Sequence, residues 1–314
     1  LTGKFQKNPQ NPETFRVALE AEARWVISVE AEKIADSERK ALAALLDDPS
    51  PAVRQALRTR FAERGKASAD FLQELARQSD SAVAKHASQY LRELNFTDPV
   101  SEFRDFIHSL NYELETGAIL LARTVNPNVD VGAVCLKLDA MAARCRELIA
   151  EPATAREKCR VLNRVLFHEN GLHGNADNYS DPLNSFLDQV LVRRKGIPIS
   201  LSIVYLLVAE RVGLQLEPVG LPGHFMVGCF EESPPFFIDT FNAGMLLDAE
   251  ETFGLLKAAD ASVVDLAPTP VREVLSRCCR NLVRQYTATD QTAQAQLFGS
   301  FVADFEAAYE RNTS

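Results

Sequence analysis

Apolar residues in the first third of the chain recur with a helical period. From Glu13 to about Leu94 the sequence is rich in Ala, Leu, Glu and Arg and carries almost no strand signal, which predicts helices throughout. Set against itself one repeat along, Leu42 falls on Leu72, Leu45 on Leu75, Ala52 on Ala82, Val53 on Val83 and Phe61 on Leu91. Asp47-Asp48-Pro49-Ser50-Pro51 and Ser79-Asp80-Ser81 lie between the paired helices as breaker-and-cap sequences, and a further helix is expected around Trp25. Asn95-Phe96-Thr97-Asp98-Pro99 interrupts the pattern and marks a boundary. Helical periodicity resumes over 101–150, with Phe106, Leu110 and Leu114 on one face and an amphipathic stretch from Val131 to Leu148.

After Arg160 the pattern changes. Leu166 to Asn175 reads as a Gly-containing loop, and Pro182 and Asn184 suit a turn. Asn184 or Ser185 is expected to cap a helix from Phe186 to Arg194, which Lys195-Gly196 ends. Pro198 then stands in the first turn of an apolar helix reaching Arg211, with Gly213 beyond its end. From Leu216 the period becomes two. Phe225 to Phe230 and Phe236 to Phe241, joined by Glu231-Glu232-Ser233-Pro234-Pro235, predict two or three antiparallel strands. Thr269-Pro270 is expected to cap a helix from Val271 to about Tyr286, with Leu275, Cys278, Cys279, Leu282 and Val283 as its apolar face. A last helix, Asp290 to Tyr309, carries Leu297, Phe301 and Phe305 at four-residue spacing. The class is α+β with a helical majority.

Composition narrows the setting. The 314 residues suffice for two or three domains, and a net charge of −9 argues against non-specific binding to nucleic acid or an anionic membrane. Arg193-Arg194-Lys195 is a local basic patch or a solvated helix end. No apolar run is long enough to span a bilayer, and the first residues carry no signal-peptide pattern. The six cysteines form no Cys-x-x-Cys pair and sit in apolar or helical patterns, which favours reduced thiols and a cytosolic location.

The string NADNYSDPLNSFLDQVLVRRKGIPISLSIVYLLVAERVGL, followed by PGHFMV and FIDTFNAG, resembles the signature of the SirB-type transglutaminase-like family. The resemblance covers roughly 100–255 and implies a papain-like core, one helix packed on an antiparallel sheet. The flanking segments resemble HEAT-type repeats over 1–97 and a tetratricopeptide-like pair over 261–314 docked on a core of 98–260. Thr240 replaces the proline usual after the aspartate, a change expected to loosen that strand end. The family implies no cofactor. Related domains beside F-box segments favour a protein partner, by analogy alone.

Working members use a Cys opening the core helix, a His opening one strand and an Asp on the next. His224 and Asp239 match the last two, and counting back from Gly213 puts Pro198 in the cysteine's place. Proline supplies no nucleophile, so the triad is incomplete. Replacements are poor. Ser200 turns away along the helix, Ser202 lies one turn deeper, Cys229 faces the other side of its strand, and Cys159 precedes the motif. A hairpin turning about Glu231-Glu232 sets His224 opposite Asp239, whereas one centred on Ser233 separates them by three positions. The pair is either a structural hydrogen bond or a binding or general-base site. Tyr179, Asp181, Asn184, Ser185 and Arg194 either line the same cleft or, for Asp181 and Asn184, cap the helix, with Arg194 pairing a carboxylate. His168 and His173 lie near Asp177 and Asp181 without a metal-ligand spacing, so solvated loop histidines are expected.

Overall fold

A computed structural model describes residues 34–48, 50–77, 82–94, 98–255 and 266–313. The helix expected around Trp25 and the turn at Ser79-Asp80-Ser81 lie outside them. The chain divides into two units, 1–98 and 99–314.

Among the described residues of the first unit four helices follow one another, α1 (Asp36–Leu45), α2 (Pro51–Arg64), α3 (Lys66–Ala76) and α4 (Ala82–Glu93), with α3 packed against α4. Their shared core holds Leu42, Phe61, Phe71, Leu72, Tyr90 and Leu91, with Phe61 and Tyr90 meeting edge to face at 5.4 Å. The internal repeat is imperfect: Leu75 is buried, but its counterpart Leu45 is exposed.

The second unit is built around one helix. Helices α5 (Pro99–Ser109), α6 (Leu114–Arg123), α7 (Val131–Leu148) and α8 (Ala155–Asn163) lead through a π-helical turn (Arg164–Glu169) to α9 (Leu187–Arg193) and α10 (Pro198–Val212). Every residue of α10 from Pro198 to Ala209 is buried, as a helix apolar on all sides requires. Gly213, at φ 78°, ends it in the left-handed region. Strands β1 (His173–Gly174) and β2 (Lys195–Gly196) form a short parallel bridge beside it. An antiparallel meander follows, β3 (Glu217–Leu221), β4 (His224–Cys229), β5 (Phe236–Asp239) and β6 (Met245–Leu247), in that spatial order. After α11 (Ala249–Leu255) come α12 (Val271–Ala288) and α13 (Thr292–Thr313). Phe301 and Phe305 of α13 are buried against Phe103 of α5, so the last two helices share the core of this unit.

Four local expectations change. Leu110 sits at φ 61° between α5 and α6, so Phe106, Leu110 and Leu114 do not line one helix. Leu166 and Phe167 are buried within the π-helical turn rather than in a loop. The N-cap of α9 is Phe186, which has no side-chain acceptor, because Asn184 and Ser185 are engaged elsewhere. Thr269 does not cap α12: its N–H donates to Pro218 O (2.8 Å) and its Oγ1 accepts from Gly220 N (2.8 Å), tying the approach to α12 onto β3.

Candidate functional site

His224 is the first residue of β4 and Asp239 the last of β5. Val227 lies opposite Ile238 and Cys229 opposite Phe236, so the hairpin turns between Glu232 and Ser233, between the two alternatives and nearer the one centred on Ser233. Continued to the strand ends, this register sets His224 and Asp239 two positions apart on one face, a diagonal that long side chains bridge. His224 Nε2 lies 3.0 Å from Asp239 Oδ2.

The aspartate is held from every side. Its Oδ1 accepts from the N–H groups of Phe241 (3.1 Å) and Asn242 (3.3 Å), and Oδ2 also accepts from Asn242 Nδ2 (2.8 Å). Burial pushes its carboxyl up, but the bond and charge of His224, together with Asn242, outweigh that and leave it below its ordinary value. Asn242 is thus a positioning residue that a residue-by-residue match to Cys, His and Asp passes over. Its turn is fixed by Gly244, at φ 74°, whose N–H donates to Asp239 O (2.8 Å). Gly244 O accepts from Asn163 Nδ2 (2.6 Å), and the Tyr205 hydroxyl lies 3.0 Å from Asn163 Oδ1. Helices α8 and α10 therefore brace the turn that carries the carboxylate.

Thr240 tightens this strand end instead of loosening it. It is fully buried, and its hydroxyl meets Ser202 Oγ at 2.8 Å and Pro198 O at 3.4 Å. Ser200 is likewise occupied. Its Oγ accepts from Ile197 N (3.0 Å) and donates to Asn184 O (2.6 Å), closing the start of α10.

His224 opens into a cleft of about 690 Å³. Ile197, Pro198 and Ile199 at the start of α10 form one wall, the β3–β4 turn through Gly223 a second, and α12 a third. Pro198 is the N1 residue of α10. From α12 come Arg277, Arg280 and Arg284, spaced to share one side of a helix. Arg277 donates to Leu221 O (2.6 Å) and to His224 O (2.7 Å), gripping both sides of the β3–β4 turn. Burial draws its pKa down and Arg280 beside it adds to the effect, yet a guanidinium stays charged at neutral pH. The apolar pattern of α12 was readable in the sequence, and the arginines recur on its other side, a signal overlooked when only the buried face is read.

The polar cluster ahead of α10 is dispersed. Tyr179 reaches the cleft, where burial raises its phenol while Arg277 and Arg284 pull the other way. Asp181 accepts from Leu183 N (3.0 Å), capping the turn Pro182–Asn184, and pairs with Arg193 at 2.5 Å. Asn184 is buried and folds back onto Asn178 O (2.7 Å) and Asn175 Nδ2 (2.9 Å). Ser185 Oγ donates to Gln285 Oε1 of α12 (2.8 Å). Arg194 is placed away from His224. At φ 60° it ends α9, and its side chain lines another surface hollow with Lys137, Arg144 and Glu169. The arginine that meets a carboxylate is therefore Arg193. Asp181, Asn184 and Ser185 do not line the cleft; they lock the loop beside it.

His173 Nδ1 lies 3.0 Å from Gly171 O, and no group of three or more His, Cys, Asp or Glu side chains among the described residues could hold a metal. No cysteine lines the cleft. Burial pushes the thiols of Cys145, Cys159 and Cys278 up to about 12, and those of Cys135, Cys229 and Cys279 upward as well. Chemically, the site holds an imidazole oriented by a buried carboxylate, with a proline and three cations around it. No helix among the described residues is long and apolar enough to cross a membrane.

Comparison with known proteins places this geometry. A model described as the transglutaminase-like superfamily matches residues 132–280. A UPF0162 protein of Xylella fastidiosa (strain Temecula1) is 36% identical over 190 residues, 58% of this chain and 68% of that protein. A UPF0162 protein of Vibrio cholerae is 28% identical over 131 residues, 41% of this chain and 48% of that protein. F-box only protein 21 of Homo sapiens is 35% identical over 135 residues, 39% of this chain and 21% of that protein. No solved structure matches. The His–Asp pair at adjacent strand ends and the buried core helix fall inside the matched segment, so the chain belongs with the UPF0162 proteins and carries a transglutaminase-like domain over 132–280.

Proposed function

We propose that this chain is a SirB-type transglutaminase-like protein without thiol chemistry, a cytoplasmic module whose cleft binds a protein partner. In this reading its first helices are HEAT-like and its last pair tetratricopeptide-like. The observation that carries the reading is Pro198 at the N1 position of α10, lining the same cleft as His224. A cysteine at a helix N-terminus has its pKa lowered and attacks as thiolate; proline there has nothing to ionise. Support comes from the native thiols, which burial holds protonated, and from Ser200 and Ser202, whose hydroxyls are spent on Asn184 and Thr240. The resemblance to F-box only protein 21 supports a partner-binding role by analogy only.

A second reading, a cysteine-independent hydrolase or acyl-transfer enzyme, draws on His224. With Nε2 on Asp239, its Nδ1 has no protein partner among the described residues and could take a proton from water in the cleft. One experiment separates the readings. Wild type, His224→Ala and Pro198→Cys are tested for hydrolysis of amides and esters and for amine incorporation. The binding reading expects wild type and His224→Ala to be equally inactive. It also expects Pro198→Cys to alkylate faster than any native cysteine. Wild-type turnover that His224→Ala abolishes while remaining folded overturns it.

A further inference from the structure

The cleft's charge runs against that of the chain. The sequence carries a net charge of −9, yet Arg277, Arg280, Arg284 and His224 line the cleft with no aspartate or glutamate beside them among the described residues. Two of the arginines are partly engaged. Arg277 holds Leu221 O and His224 O, and Arg280 pairs with Glu273 and donates to Ser276 Oγ (2.9 Å). Arg284 is exposed and has no protein partner among the described residues. The nearby α10 N-terminus adds the positive end of its dipole. Among the described residues only Arg280 of the three meets a carboxylate, so the row still sets like charges side by side at a cost.

We infer that the occupant of this cleft is an extended acidic peptide segment of a partner protein, its carboxylates set along the Arg277–Arg280–Arg284 row; this rests on the binding reading above. Three features favour a peptide over a single small anion. The row is strung along the helix, from Arg277 to Arg284 over roughly 10 Å, at one side chain per turn. Alternate residues of an extended chain point the same way about 7 Å apart, so two successive carboxylates on one side fit within such a row. The intervening residues then face the other wall, which Ile197, Pro198, Ile199 and Pro222 make apolar. The predicted ligand therefore alternates acidic and apolar positions. Guanidinium forks suit carboxylates because each can be met by two parallel N–H donors.

The test uses the full chain and a fluorescein-labelled octapeptide of alternating glutamate and valine, followed by fluorescence anisotropy. Its control carries glutamine at every glutamate. The inference expects the acidic peptide to bind at least about 10-fold more tightly than the control. It expects binding to weaken as salt rises and to drop about 10-fold or more in Arg284→Glu, a variant that breaks no hydrogen bond or ion pair among the described residues. Equal binding of both peptides, indifference to Arg284→Glu, or displacement by inorganic phosphate at concentrations comparable to the peptide's own would each overturn it. Selection from a random peptide library, with His224→Ala and Tyr179→Ala as counter-selectors, separates the two layers. Cleft-dependent peptides without acidic residues sink the acidic-segment inference but leave the binding reading standing; an empty selection sinks both.

Discussion

Gly244 offers the sharpest test of how the carboxylate is held. Its φ is 74°, and a methyl group there would come within 2.1 Å of Asn163 Oδ1, far inside contact distance. Gly223 is the matched control, with φ 73° and nothing within 4 Å of its added methyl. In Gly223→Ala the cost is the left-handed backbone alone, about 1–2 kcal/mol. Gly244→Ala carries that cost and also displaces Asn163, which bonds Gly244 O at 2.6 Å and Tyr205 at 3.0 Å. Leaving one such part-buried group unpaired costs about 1–3 kcal/mol, for a total of about 2–5 kcal/mol. In a unit of this size each kcal/mol lowers the melting midpoint by roughly 2–4 °C. Thermal melts should therefore fall by about 4–20 °C in Gly244→Ala and by about 2–8 °C in Gly223→Ala, with Gly244→Ala always the larger of the two. In the Asn163→Ala background the collision is gone, so Gly244→Ala should add only the backbone cost. Equal shifts for the two glycine variants, or full additivity with Asn163→Ala, would refute the reasoning.

Two further outcomes follow from the same neighbourhood. Thr240→Val strands the fully buried Ser202 hydroxyl and should cost about 1–3 kcal/mol in a urea titration, whereas Thr240→Val with Ser202→Ala should cost no more than the single change; strict additivity would dismiss the pair. Because Asp239 is held below its unfolded value of about 3.9, its contribution is present above that pH and fades as pH falls through the lower folded value. Asp239→Asn should therefore lower the urea midpoint at neutral pH yet flatten its decline below about pH 4, and parallel curves would count against the assignment.

Much of the site was written in local signals. Pro198 and Gly213 delimit α10 because each suits one end of a helix, and the change of period after Gly213 announces strands. Those signals bring His224 and Asp239 to neighbouring strand ends. The hairpin register is another matter. It depends on how five turn residues are shared between two strands, and a shift of one position exchanges the faces. The bonds that fix the site are also remote in sequence. Asn163 meets Gly244, Tyr205 meets Asn163, and Arg277 meets Leu221, each across many residues and set by packing. Arg193 and Arg194 show the same limit at short range, since the left-handed residue ending α9 decides which of them faces Asp181.

The grip of Arg277 on Leu221 O and His224 O bears on how this protein can be cut. A fragment stopping at 260 would keep the imidazole and its carboxylate, but it would lose the guanidinium that clamps the turn in front of them and the Gln285 carbonyl that accepts from Ser185. The tail is thus part of the machinery, not packaging. Shortened versions made for expression or crystallisation should retain α12, and loss of function on trimming the C-terminal region points first to a collapsed cleft.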